Sequence, residues 1–201
     1  MTRPLLYSQN SETDDIWILP HSARRPRLAV PRTHEWPPAV RSAERLRGSL
    51  VSCGPGLRPA AWPETPRVRL AALAPWLGDQ FVAIGTTAAW VWGVTRRPAE
   101  PLQSSTMGRK RPPARAIAGI AVHEHALTAS DITQFGDGRV TTRTRTLCDL
   151  LRSATPLSRV DRVACRLLLL QHEGGRSSVQ AALDAGARRY RRVATTRLRD
   201  L

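Results

Sequence analysis

Gly119–Leu157 reads G-I-A-V-H-E-H-A-L-T-A-S-D-I-T-Q-F-G-D-G-R-V-T-T-R-T-R-T-L-C-D-L-L-R-S-A-T-P-L, and the order of its patterns decides the fold class. A short apolar run, Ile120-Ala121-Val122, reads as a strand. A polar stretch with Asp131 and Ile132 leads to a Gly136-Asp137-Gly138 turn, and a second short strand follows at Arg139–Thr141. Thr142 then caps a helix whose Leu147, Leu150 and Leu151 recur at helical spacing. Strand, turn, strand and helix in so short a span predict a mixed α+β architecture.

Upstream, Leu50–Cys53 and Leu57–Pro59 flank Gly54-Pro55-Gly56 and read as a hairpin. A helix is expected over Pro38–Arg47, with Val40, Ala43 and Leu46 forming its apolar face. Thr65 and Pro66 start another helix, which buries Val68, Ala71, Ala72 and Leu73. Phe81–Ile84 is a buried strand, Thr86 or Thr87 caps a helix over Ala88–Trp92, and Gln103–Met107 is a further strand. Downstream, helices are expected at Ser158–Gln171, Ser177–Ala185 and about Arg189–Leu201. The whole is therefore a small mixed sheet with flanking helices and a helical C-terminal half, preceded by a partial winged-helix-like hairpin. Residues 1–37, rich in proline and arginine, read as a poorly ordered or peripheral arm, with Ile16–Leu19 as a strand able to dock on the sheet. Residues 38–62 form the winged-helix-like element, and residues 63–201 the main domain.

The 201 residues carry 31 basic against 16 acidic side chains, a net charge of +15. Lys110 is the lone lysine, so a GC-rich genome accounts for arginine over lysine. Codon bias does not explain the shortage of acids. A field this positive favours polyanions, nucleic acid first, with ribosomal or membrane-surface association and mere compositional bias as the other readings. Cys53, Cys148 and Cys165 are too far apart for a zinc motif and read as core thiols in a reducing cytoplasm. Met1–Asp15 lacks the apolar core of a secretory signal, and the longest apolar run, near Leu167–Leu170, is too short for a membrane span.

The pattern (L/V)xVHxxxL…DI…G…VTTxxRTLxDLLR resembles the C-terminal domain of AbiEi-family antitoxins, the antitoxin half of type IV toxin–antitoxin systems. The resemblance extends to Leu50–Val94, where Gly85-Thr86-Thr87-Ala88-Ala89-Trp90-Val91-Trp92-Gly93-Val94 matches a "(S/G)xxSAAxxWG(L/V)" helix, and covers roughly residues 50–190. It implies that residues 63–201 are the AbiEi-like C-terminal domain. It further implies repression of the protein's own operon by binding double-stranded promoter DNA. A nucleotidyltransferase-like toxin would be neutralised indirectly, without a stable complex. Family members usually carry a complete three-helix winged domain, and the first 37 residues here do not supply its first two helices.

Cationic patches are the candidate DNA contacts. Arg41, Arg45 and Arg47 on the first helix, with Arg58 on the hairpin, would act as recognition helix and wing. Arg109, Lys110, Arg111 and Arg115 crowd the proline-containing loop Gly108–Arg115. Arg188, Arg189, Arg191 and Arg192 interleave with Tyr190, a mix suited to phosphate contact and stacking. Each patch has a plainer reading as a solvated surface, and such contacts set affinity rather than sequence preference.

His123 and His125 alternate along a strand, but no third metal ligand is identifiable, and the resemblance makes one of them structural. Arg145 and Asp149 lie one helical turn apart and can pair, which with Thr144 and Thr146 ties the helix to the sheet. Trp90 and Trp92 read as core. Some relatives fuse this domain to a restriction-type endonuclease, whose chemistry needs clustered carboxylates and a lysine around Mg²⁺. Lys110 has no such setting, so no catalytic residue, metal or cofactor is assigned and the protein is expected not to be an enzyme. Two alternatives stand beside the antitoxin reading: a protein-interaction module that keeps the scaffold without reading DNA sequence, and a nuclease relative without its catalytic domain.

Overall fold

Phe81-Val82-Ala83-Ile84 is apolar at every position, which suits a strand covered on both faces. The computed structural model, which describes residues 29–107, 117–186 and 189–201, places it at the centre of a five-stranded sheet. The strands are β3 (Phe81–Ala83), β4 (Leu102–Thr106), β5 (Ile120–His123), β6 (Ile132–Phe135) and β7 (Gly138–Thr141), in spatial order β5-β4-β3-β7-β6. β3 runs antiparallel to β4 and parallel to β7, with Ala83 opposite Ser104 and Val140. β4 and β5 are parallel, and β6 and β7 form an antiparallel hairpin. The fold is α+β with a mixed sheet.

Two apolar layers use the alternation of β3. Phe81 and Ala83 face the main core, while Val82 and Ile84 pack with Leu127, Met107 and Ile132 on the other side. The main core gathers Leu70, Leu73, Trp90, Val91, Trp92, Leu147, Leu151, Cys165, Leu168, Val179, Leu183 and Leu198. These come from α2 (Pro66–Ala72) and the residue after it, α4 (Gly85–Val91) with its C-cap, α5 (Arg143–Leu151), α6 (Arg159–Leu170), α7 (Gly175–Ala185) and α8 (Arg191–Arg199). The Trp92 indole N–H donates to the Thr141 carbonyl at 2.8 Å, and the Arg143 guanidinium lies 4.3 Å from the centre of its ring.

Local chemistry explains most starts. Thr142 Oγ1 accepts the Arg145 N–H at 3.2 Å and caps α5, and Thr65 Oγ1 accepts the Val68 N–H at 3.4 Å and caps α2. Ser158 and Asp161 form a reciprocal capping box on α6. At α4 the expected threonine cap is replaced. The helix begins at Gly85, and the Gln103 side-chain carbonyl accepts the Thr86 N–H at 2.8 Å. Thr87 instead turns inward, where its hydroxyl accepts the Gln103 main-chain N–H at 2.8 Å. β6 reads in the sequence only as a polar stretch, because Thr133 and Gln134 break the apolar pattern of so short a strand.

At the N-terminal side, α1 (Pro38–Leu46) precedes the hairpin β1 (Leu50–Cys53) and β2 (Gly56–Pro59), and α3 (Ala74–Leu77) follows α2. Residues 29–37, expected within a peripheral arm, carry a 3₁₀ turn at Thr33–Glu35 packed on β2. Thr33 is buried there and its hydroxyl donates to the Leu57 carbonyl at 3.3 Å. Residues 1–28, including Ile16–Leu19, lie outside the described residues. The hairpin shares the main core through buried Cys53. All three cysteines are buried, and desolvation pushes their thiols up, Cys53 and Cys148 to about 11 and Cys165 to about 12. They remain protonated and unreactive at neutral pH.

Candidate nucleic-acid interface

Pro38 at the first position and Gly48 in the left-handed region (φ 77°) bound α1. The helix buries none of its residues, and Leu46 is 91% exposed. Its expected apolar face, Val40, Ala43 and Leu46, therefore does not join the core: α1 packs mainly on β1, and periodicity says nothing about what covers a face. What α1 does present is Arg41 and Arg45, one turn apart. Both line a groove of about 490 Å³ with His34, Ser52, Pro55 and Trp76. Neither has an ion-pair partner among the described residues.

The opposite wall of that groove is held close by glycine. A Cβ at Gly56 would collide with the Ala72 carbonyl oxygen, and one at Gly54 would stand 2.7 Å from the Trp90 ring. The hairpin tip is therefore seated on α2 and α4 instead of reaching out as a free wing. Arg58 follows it inward. Its guanidinium donates to the carbonyls of Pro59, Ala60 and Trp62, the last at 2.6 Å, and lies 3.5 Å from Glu64. The sequence placed Arg58 with the DNA contacts; the structure gives it the work of closing the 59–64 loop. Arg47 is exposed but pairs with Glu44 at 2.6 Å, and that hydrogen bond holds the Glu44 carboxyl below the usual range.

Arg109, Lys110, Arg111, Arg115 and Arg188 lie outside the described residues. Trp76, on the groove wall, abuts Gly119, where a Cβ would stand 3.1 Å from the indole nitrogen. The chain just after the basic stretch Gly108–Arg115 thus runs beside the same groove. The C-terminal cations sit elsewhere. Arg189 is exposed with its guanidinium 5.1 Å over the Tyr190 ring, Arg192 is exposed, and Arg191 donates to the Asp184 carbonyl at 3.4 Å. Arg191 and Arg192 open α8, with Arg189 just before it; α8 packs on α5 and α7, and none of its residues lines the α1 groove. A further row, Arg159, Arg162 and Arg166, lines the outer side of α6; spacings of three and four residues would have revealed it in the sequence.

The polar cluster around α5 is structural in its bonding. Arg145 Nε donates to both Asp149 oxygens at 2.9 and 3.0 Å, and Nη1 reaches Asp131 at 3.1 Å and the Ala126 carbonyl at 3.3 Å. Asp131 also accepts the Thr128 N–H and hydroxyl, both at 2.9 Å. Burial pushes the Asp149 carboxyl up against the pull of Arg145. Asp131 goes down, since the Thr128 hydrogen bonds and Arg145 together outweigh its burial. Arg145 is raised: the two carboxylates outweigh its desolvation. The cluster thus ties α5 to the 124–131 segment.

His125 stands beside it, Nδ1 3.9 Å from Asp149 and its ring edge-on to His123 at 6.2 Å. Among the described residues no group of three His, Cys, Asp or Glu could hold a metal ion. Desolvation lowers His125 below its ordinary 6.5, with Asp149 opposing. A depressed histidine adds stability that is present above its unfolded value and is lost as pH falls through the folded one. Lowering pH from 7 towards 5 should therefore reduce the unfolding free energy, and His125→Gln should flatten that slope in urea titrations. The same slope in wild type and variant would remove His125 as its cause. Asp149, raised by burial, has the opposite sign: it favours the fold most at acid pH and less as pH rises.

Comparison with protein families, curated proteins and solved structures finds no match to this chain. No helix among the described residues is long and apolar enough to cross a membrane.

Proposed function

We propose that this protein is a non-enzymatic, DNA-binding regulator of the AbiEi antitoxin kind, acting in the cytoplasm on the promoter of its own type IV toxin–antitoxin operon. A nucleotidyltransferase-like toxin would be its functional partner without a stable complex. The observation that carries the DNA part is α1: a helix with no buried residue, whose Arg41 and Arg45 face an open groove without carboxylate partners among the described residues. Two guanidiniums one turn apart on an open groove suit the phosphate backbone of a duplex. The net charge of +15 supplies the long-range attraction. With Arg58 turned inward, the hairpin adds shape and not charge, so affinity rests on α1 and on the basic stretch 109–115.

Fluorescence anisotropy against the gene's own upstream duplex and a scrambled duplex, titrated with salt, tests this reading. A regulator prefers its promoter by about tenfold or more, roughly 1.4 kcal/mol. Arg41→Ala with Arg45→Ala should weaken binding to both duplexes and reduce the log–log salt slope by about 0.9 per lost contact. No binding at moderate salt, or a double variant indistinguishable from wild type, sinks it.

A further inference from the structure

α6 turns one side into the core through Ala164, Cys165 and Leu168 and leaves an apolar row outside. Val160, Val163, Leu167 and Leu170 are 61%, 47%, 38% and 82% exposed. Their spacing of three, four and three residues is that of the a and d positions of a heptad seam. Leu169, on the flank, is half-buried and packs on the core, so the exposed row is a distinct stripe. In that register Arg159 and Arg166 both fall at g, alongside the seam, and Arg162 lies one turn away. Arg162 and Arg166 each use Nε on a main-chain oxygen, of Leu157 and Leu201, and none of the three pairs with Asp or Glu among the described residues. The e position, Ala164, is buried in the molecule's own core, so only the cationic flank is open to a partner.

We infer that this face of α6 docks an acidic amphipathic helix of another protein, with apolar residues at matching three-four spacing and Asp or Glu along the flank that meets Arg159 and Arg166. The apolar seam supplies the contact and the charge selects the partner. A second copy of the chain fits poorly. Antiparallel pairing of α6 with itself sets g against g, arginine on arginine, and parallel pairing sets g against the buried Ala164. The surplus of positive charge adds repulsion between copies. The site is separate from Arg41 and Arg45 and stands whether or not DNA binds there.

The test uses the full chain and two labelled synthetic peptides of about three heptads. One is an amphipathic helix with a leucine seam and glutamate flanks; the other is an isomer of the same composition with shuffled order, equally acidic. The amphipathic peptide is expected to bind at least about tenfold more tightly than the isomer. Val163→Asp with Leu167→Asp should abolish the difference, and Arg159→Glu with Arg166→Glu should weaken binding by about tenfold or more. Arg41→Glu with Arg45→Glu lowers the net charge by the same four units and weakens both acidic peptides alike, so the preference for the amphipathic peptide over its isomer should persist. All substitutions are at exposed or half-exposed positions, and an unchanged thermal midpoint checks each fold. Equal binding of the two peptides, or seam variants that bind like wild type, overturns the inference. So does a wild-type dimer in light scattering that Leu167→Asp dissociates, which would make a second copy the occupant. A gain of about tenfold on deleting residues 1–28 would assign the face to the chain's own N-terminal segment.

Discussion

Trp90→Ala should lower the unfolding free energy by about 3–5 kcal/mol, the range for emptying a buried tryptophan site. The ring is buried where the hairpin, α2 and α4 meet: Gly54 backs onto its edge, and the Arg69 guanidinium lies 5.3 Å from its centre. Arg69 is fixed there by the Trp90 carbonyl at 2.7 Å and by Glu64 at 3.0 Å, so it cannot move in to fill the space. Collapse would have to pull in the hairpin, whose Gly56 already touches the Ala72 backbone. Urea unfolding reads the loss directly. A second readout is the Cys53 thiol, held near 11 by burial, which should react with a thiol reagent in the variant under conditions where the wild type stays protected. A loss below about 1 kcal/mol would mean that the hairpin is not seated on this ring.

Asp149→Ala should cost about 2–4 kcal/mol, because breaking one partner of a buried pair leaves the other uncompensated. Arg145 would keep Asp131 at 3.1 Å and the Ala126 carbonyl at 3.3 Å, both through Nη1, while Nε would lose both its acceptors, in a site where its side chain is 19% exposed. The lower end of the range reflects that residual exposure and the surviving Asp131 contact. Burial already raises the Asp149 carboxyl, so the pair is costly to hold and costlier to break. Replacing both partners, Arg145→Met with Asp149→Leu, should therefore lose less than Asp149→Ala alone. Equal losses in the single and double variants, measured by chemical unfolding, would contradict an uncompensated guanidinium as the cause.

The sequence reads best where one element carries its own signal. Thr142 followed by helical leucines marks α5, Thr65-Pro66 marks α2, Gly54-Pro55-Gly56 marks the hairpin, and the apolar run at 81–84 marks the central strand. What escaped depends on distant partners. The start of α4 is set by Gln103, sixteen or more positions later, so the nearby threonines gave the wrong cap. Asp131 joins Arg145 across fourteen residues of chain, whereas the four-residue Arg145–Asp149 pair is visible locally. At the candidate interface, composition shows many arginines but not their direction. Arg41 and Arg45 face a groove, while Arg58, equally basic and near in sequence, is consumed by the carbonyls of its own loop. The α6 row was readable from spacing, yet its exposure was not, since the same heptad would serve a buried seam.

The Gln103 clamp has a consequence for the order of events in folding. The Thr86 amide at the head of α4 is satisfied only when β4 lies beside β3, because its acceptor is a side chain of β4. The helix can nucleate from its own residues, but its first turn is a reporter of strand pairing. In amide hydrogen exchange, Thr86 should keep time with the β3–β4 ladder rather than with the middle of its own helix, so that one slow proton serves as a clock for closure of the sheet.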